Sequence, residues 1–167
     1  MANQKQLDLL LAGKTPWDAW RRTYADVQAF EPDLHGADLH NVDLHGADLH
    51  GADLTEANLQ GADLSNTDLR EVDMRNANVS GANLSGANLV QAFLHRADLR
   101  GSDLSHTNLT EADLSNADLR GANLDDATFK KTKLHGANLS PADLHLRDLS
   151  KQSEPKQPKS APVLLGG

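Results

Sequence analysis

A large apolar residue stands at every fifth position from position 34 to position 149, without a slip. The 24 such positions hold 21 Leu together with Met74, Val79 and Phe129. Two residues before each stands a small residue, usually Ala, and the residue between them is nearly always Asp or Asn. The phrase reads A-(D/N)-L-x-x, as in Ala47-Asp48-Leu49-His50-Gly51. A period of five is neither the 3.6 of a helix nor the 2 of a flat strand. The chain is only 4% aromatic and carries a formal net charge of −8, a composition that favours disorder. Disorder, however, imposes no fixed apolar spacing. The repeat therefore predicts an ordered solenoid.

In an extended segment, residues two apart point the same way. The small residue and the Leu are then expected inward, with the other three positions facing water. Gly or Asn after the Leu suits a sharp bend. One such unit cannot stand alone. Burying a Leu stabilises by about 1.5–3 kcal/mol, whereas ordering five residues of backbone costs about 5–10 kcal/mol. The units must wind into coils, and the coils must stack so that side chains pack and backbone groups pair between them.

The first 30 residues do not repeat. Leu7, Leu10 and Leu11 have helical spacing, and Gly13 stands where a left-handed stop would be. Thr15-Pro16 reads as an N-cap followed by Pro in the first turn. Trp17, Trp20, Tyr24 and Val27 then form one apolar stripe before Pro32 ends helical geometry. We expect two short helices joined by a tight turn, capping the open N-terminal coil with Leu7, Leu10, Leu11, Trp17 and Trp20. The phrase decays after Leu144, Arg147 takes an inward position, and the last residues are rich in Lys, Gln, Ser and Pro. The expected organisation is a helical cap at 1–31, a repeat region at 32–149 and a flexible tail at 150–167. The tail ends in an apolar Pro162-Val163-Leu164-Leu165 run.

The tandem A-(D/N)-L-x-x phrase closely resembles the pentapeptide repeat family, in the style of its cyanobacterial members. The resemblance implies an all-β solenoid: a right-handed, quadrilateral β-helix with four repeats per coil and about six coils. At about 4.8 Å per coil the rod would be roughly 29 Å long. Residues twenty apart should then stack. One inner ladder would be Leu34, Leu54, Met74, Leu94, Leu114 and Leu134, and the next Leu39, Leu59, Val79, Leu99, Leu119 and Leu139. Phe129 replaces Leu in another ladder near the C-terminal end.

The same register tests each route to chemistry. His35, His40, His45 and His50 would lie on four different sides, with Thr55, Gln60, Ser65 and Arg70 stacked beyond them. A metal needs ligands converging to about 2.0–2.1 Å, so these histidines are expected to be solvent-facing filler and no metal or other cofactor is expected. Stacked Asp33, Asp53 and Asp73, Asp43 with Asp63, Asp48 with Asp68, and Asp98 with Asp118 would lie on convex faces. No cleft there could separate carboxyl pKa values, and Asp or Asn at this position serves turn hydrogen bonds. Nucleotide-binding loops and nucleophile motifs are missing as well, so no enzyme is expected. The chain has no cysteine for disulfides or thiolate sites. The first residues lack a signal-peptide core, and no stretch approaches the roughly 20 apolar residues of a membrane span. A cytoplasmic protein is expected.

Residues 32–151 hold 19 Asp/Glu against 10 Lys/Arg, a net of −9. Direct nucleic-acid binding is not expected for such a surface. The sequence points instead to a rigid scaffold that binds protein, with contact candidates where the phrase fails outward at Val90 and Phe93 and at the basic run Lys130, Lys131 and Lys133. The family resemblance implies an alternative: a DNA mimic that occupies a type II topoisomerase, DNA gyrase. An acidic rod is suited to a basic groove. The uncovered C-terminal coil also suggests a weak homodimer through that end.

Overall fold

The structure, a computed structural model, describes residues 1–23 and 31–141. Two helices, α1 (Gln4–Leu11) and α2 (Lys14–Thr23), precede the repeats. From residue 33 onward the chain pairs with itself, in parallel, at a constant register of twenty: Asp33 with Asp53, Asp53 with Asp73, and on to Asp118 with Asn138. Twenty residues are four pentapeptides, so each coil has four sides.

The pairing differs from an ordinary sheet. Each side contributes a single-residue bridge at the Asp/Asn position rather than a strand. The reason lies in the turns. The Ala37 N–H donates to the Leu34 carbonyl at 3.0 Å, closing a four-residue turn, and the same bond recurs from Ala47 to Leu44 and onward. Four of every five residues are spent turning, and one remains to bridge. The third residue of each turn has positive φ, as at Gly36 (64°) and Asn41 (56°), the signature of a type II turn. Between coils the Leu34 N–H donates to the Asp53 carbonyl at 2.8 Å, and the Asp53 N–H donates back to Pro32 at 2.8 Å.

The inward positions form one continuous core. Leu34, Leu54, Met74, Leu94, Leu114 and Leu134 are buried, as are Leu39, Leu59, Val79, Leu99, Leu119, Leu139 and Phe129. Thr67, Ser102, Thr107 and Thr132 stand at small inward positions and are buried too. Each hydroxyl donates to a backbone carbonyl, for example Thr67 to Leu44 at 2.9 Å and Thr132 to Leu109 at 2.7 Å, so no polar group is left unsatisfied there.

The helices meet the first coil with side chains that stand in for a coil before it. The Asn3 N–H donates to the Asp33 carbonyl at 2.7 Å. The Asp33 N–H donates to Oε1 of the buried Gln6 at 2.8 Å. The Trp17 indole N–H donates to the Asp48 carbonyl at 2.6 Å, and Arg21 donates to the His50 carbonyl at 2.8 Å. Trp17 and Leu10 are fully buried, with Leu7 and Trp20 packed against them, and Trp17 and Trp20 lie tilted with ring centroids 5.1 Å apart.

Two expectations are corrected. Leu11, the last residue of α1, is 50% exposed and is not among the residues packed against the core. Thr15 is not an N-cap, because α2 starts at Lys14 and the Gly13 carbonyl accepts from the Trp17 N–H at 3.3 Å. Pro16 still falls in the first turn, where no N–H is needed. Tyr24, Val27, Leu144, Arg147, Leu149 and the tail with Pro162 to Leu165 lie outside the described residues.

Candidate protein-binding face

The Asp/Asn residues of each side form an outer column, and their first task is local. Oδ1 of Asp33 accepts from the N–H two residues on, that of His35, at 3.2 Å, and Asp63 does the same for Ser65 at 2.9 Å. Asp and Asn both supply this acceptor, which is why the phrase accepts either. Between coils the two differ. Stacked carboxylates repel, whereas an Asn amide can donate to the carboxylate beneath it: Asn58 to Asp38 at 2.9 Å, Asn83 to Asp63 and Asn123 to Asp103, both at 3.2 Å.

Where Asp follows Asp in the middle and far coils, arginines two residues on relieve the column, whereas at Asp53 and Asp63 the hydroxyls of Thr55 and Ser65 take that place. Arg75 clamps Asp73, Arg100 clamps Asp98 and Arg120 clamps Asp118, each with two nitrogens on the carboxylate. The Arg100 hydrogen bond holds the Asp98 carboxyl below its ordinary value against a smaller opposing effect of burial, and Arg120 does the same for Asp118. Ser65 lowers Asp63 through hydrogen bonds from its hydroxyl and its backbone N–H.

The histidines prove less idle than filler. His45 meets the Ser65 hydroxyl at 2.8 Å, and His50 Nδ1 donates to the Arg70 carbonyl at 2.9 Å, both one coil on. His40 instead meets Asp38 on its own side at 2.7 Å. Among the described residues no group of three or more His, Cys, Asp or Glu could hold a metal. No helix among them is long and apolar enough to cross a membrane.

One side departs from the pattern. Its outer column runs Asp33, Asp53, Asp73, Phe93, Asp113, Lys133. Phe93 bridges Asp73 and Asp113 through its backbone, and its ring, at a position meant for a carboxylate, is 49% exposed. Val90, at the corner leading into that side, is half-buried. Phe93 is the one large apolar side chain of the repeats that is exposed among the described residues.

The basic run does not form one free cationic patch. Lys131 reaches Glu111 one coil back at 2.9 Å and Lys133 reaches Asp113 at 3.4 Å. Lys130 is exposed, and its charge also acts on Glu111. Sequence reading missed these rungs, together with Gln91 donating to Glu111 at 3.2 Å. The period of five does not pair these positions; they meet only where the coil returns after twenty residues. Charge is also uneven along the rod. Residues 31–69 carry nine Asp/Glu and no Lys or Arg, whereas 70–141 carry nine Asp/Glu and eight Lys/Arg.

The family model for pentapeptide repeats matches in eight copies, at residues 33–70, 47–86, 67–105, 77–116 and 107–145. Among solved structures the chain is similar to the pentapeptide repeat protein Rfr23 from the cyanobacterium Cyanothece 51142 (33% identity, 60% of this chain and 61% of that one, TM-score 0.43). It is also similar to alr5209, a pentapeptide repeat protein from Nostoc PCC 7120 (34% identity, 59% and 84%, TM-score 0.35). A third is QnrB1, a plasmid-mediated fluoroquinolone resistance protein (16% identity, 67% and 83%, TM-score 0.43). The chain spans about three-fifths of the length of Rfr23. No curated protein matches it. With the phrase unbroken, the register constant at twenty and the family model matching most of the repeat region, the chain belongs to the pentapeptide repeat family, whose members form right-handed quadrilateral β-helices.

Proposed function

We propose that the chain is a non-enzymatic rigid scaffold whose binding face is the side carrying Val90 and Phe93. The observation that carries this reading is the half-exposed ring of Phe93, the one large apolar side chain exposed among the described repeats. Aromatic residues on a fixed backbone anchor interfaces at low entropic cost. A photo-crosslinking amino acid placed at position 93, with position 98 as control, tests it in cells. Crosslinks from 93 and not from 98 are expected. Equal crosslinking from both sides would defeat the reading.

A second reading is a DNA mimic acting on DNA gyrase, and the charge distribution favours it: nine acids and no Lys or Arg in residues 31–69. A cationic groove would take that end first. Gyrase supercoiling with increasing protein at two salt concentrations decides it. Inhibition that weakens with salt is the expected result, and no inhibition at either salt removes this reading. Self-association through the C-terminal coil is a third, narrower proposal, read by whether truncation at residue 141 abolishes any dimer.

A further inference from the structure

We propose that the partner of the Phe93 face is a second copy of this chain, docked side by side and antiparallel about a two-fold axis at Phe93. The inference rests on the reading of this face as the binding surface. It starts from the charge order of the outer column: Asp33, Asp53, Asp73, Phe93, Asp113, Lys133. A symmetric dimer pairs each residue with a fixed counterpart on the other copy. If the rods were parallel, every rung would meet its own copy, Asp53 on Asp53 and Lys133 on Lys133. The antiparallel arrangement instead sets Phe93 against Phe93, two coils away on one side Lys133 against Asp53, and two coils away on the other Asp53 against Lys133. Asp73 comes opposite Asp113, but the Arg75 that clamps Asp73 lies on the corner beside that Asp113, and Lys133 already attends it.

The corner that leads into the face follows the same symmetry about Val90. Val90 meets Val90, and Arg70 meets Thr110. Lys130 comes opposite His50, beside Asp48, in the half of the rod that has no Lys or Arg of its own. Glu71 meets Glu111, the unfavourable pair, and Lys131 sits on that Glu111 at 2.9 Å. Hence the cations gathered at the C-terminal end of the rod face its acid-rich N-terminal end, where Arg21 of α2 already meets Asp48 at 3.3 Å, with the apolar residues at the centre of symmetry. Six rungs separated by about 4.8 Å give a face about 24 Å tall and one pentapeptide wide. That falls short of the roughly 800 Å² per partner of a standard interface, so the dimer is a weak, reversible one.

Sedimentation equilibrium of the full chain, from micromolar to millimolar concentration, tests this. The wild-type protein is expected to dimerise within that range. Phe93→Asp, which installs the residue the phrase normally carries and so preserves the fold, should weaken the dimer by about tenfold or more. Asp53→Lys and Lys133→Asp should each weaken it several-fold, and the double variant Asp53→Lys/Lys133→Asp should recover to within about twofold of wild type. A monomer at millimolar concentration would overturn the proposal. So would a dimer indifferent to Phe93→Asp and to the charge swap, since its contact would lie elsewhere. Crosslinking from position 93 separates the two readings. A crosslink to a different protein, with the purified chain monomeric, overturns self-association and leaves the face as a binding surface. No crosslink at all overturns both.

Discussion

At the scale of single residues, the third position of each turn is strained wherever it is not glycine. Glu56, Glu71, Gln91, Arg96, Glu111 and Lys131 all adopt positive φ, with Glu71 at 56°. A side chain in that region costs about 1–2 kcal/mol relative to the right-handed form, and Gly does not incur it. Glu71→Gly should therefore stabilise the protein by about 1 kcal/mol in denaturant unfolding. The converse is Gly81→Ala. Gly81 has φ 65°, and a Cβ there would meet nothing within 4 Å. Its loss of about 1 kcal/mol would come from the backbone alone. If Gly81→Ala proved neutral, strain would not be the reason for glycine in these turns.

At the scale of elements, the cap and the ladders answer different needs. A coil at the end of a β-helix leaves donors and acceptors open, and here Gln6, Trp17 and Arg21 satisfy them with side chains. Gln6→Leu keeps the apolar packing of α1 but leaves the Asp33 N–H without its partner. A cost of about 1–3 kcal/mol is expected, and the first coil should exchange its amide hydrogens faster than the coils at its far end. Uniform exchange along the rod would show that α1 contributes packing alone. In the ladders, Leu84→Ala removes a fully buried side chain from the middle of the stack. About 2–5 kcal/mol should be lost. The stiff turns above and below prevent the cavity from collapsing, so the upper half of that range is expected in thermal or denaturant melts.

At the scale of the whole molecule, charge and pH act together. Asp63, Asp98, Asp103 and Asp118 titrate below their ordinary value of 3.8, lowered by hydrogen bonds from Ser65, Arg100, Ser105 and Arg120 respectively. A carboxyl whose pKa is lower in the fold than in the unfolded chain binds fewer protons when folded. Its stabilisation is complete above the unfolded value and disappears as pH falls through the folded one. The melting temperature should thus be level from neutral pH down to the ordinary carboxylate range and then drop as the solution becomes more acidic. These bonds tie each side to its own turn on several coils, so the drop should be one cooperative transition by circular dichroism. A rise in stability below pH 3.8 would contradict it. The uneven charge adds a second effect. Salt should weaken binding of a cationic partner at residues 31–69 more than at 70–141, where eight Lys/Arg nearly balance nine acids.

The period of five by itself determined the architecture, because only coils that stack can bury a leucine every fifth residue and still pair the backbone. It also determined which residues lie inside, since Ala and Leu two apart must point the same way. Tertiary structure alone decided three other things. Single-residue bridges replaced strands because the turn bonds take four residues of each five. The cap worked through Gln6 and Arg21, polar side chains whose value depends on backbone groups 27 and 29 residues away, which no local pattern encodes. Lys131 and Lys133 were drawn onto Glu111 and Asp113 one coil back. Local spacing carries what a repeat does to itself; pairing across twenty residues or more depends on where the coil returns, and only the folded chain sets that.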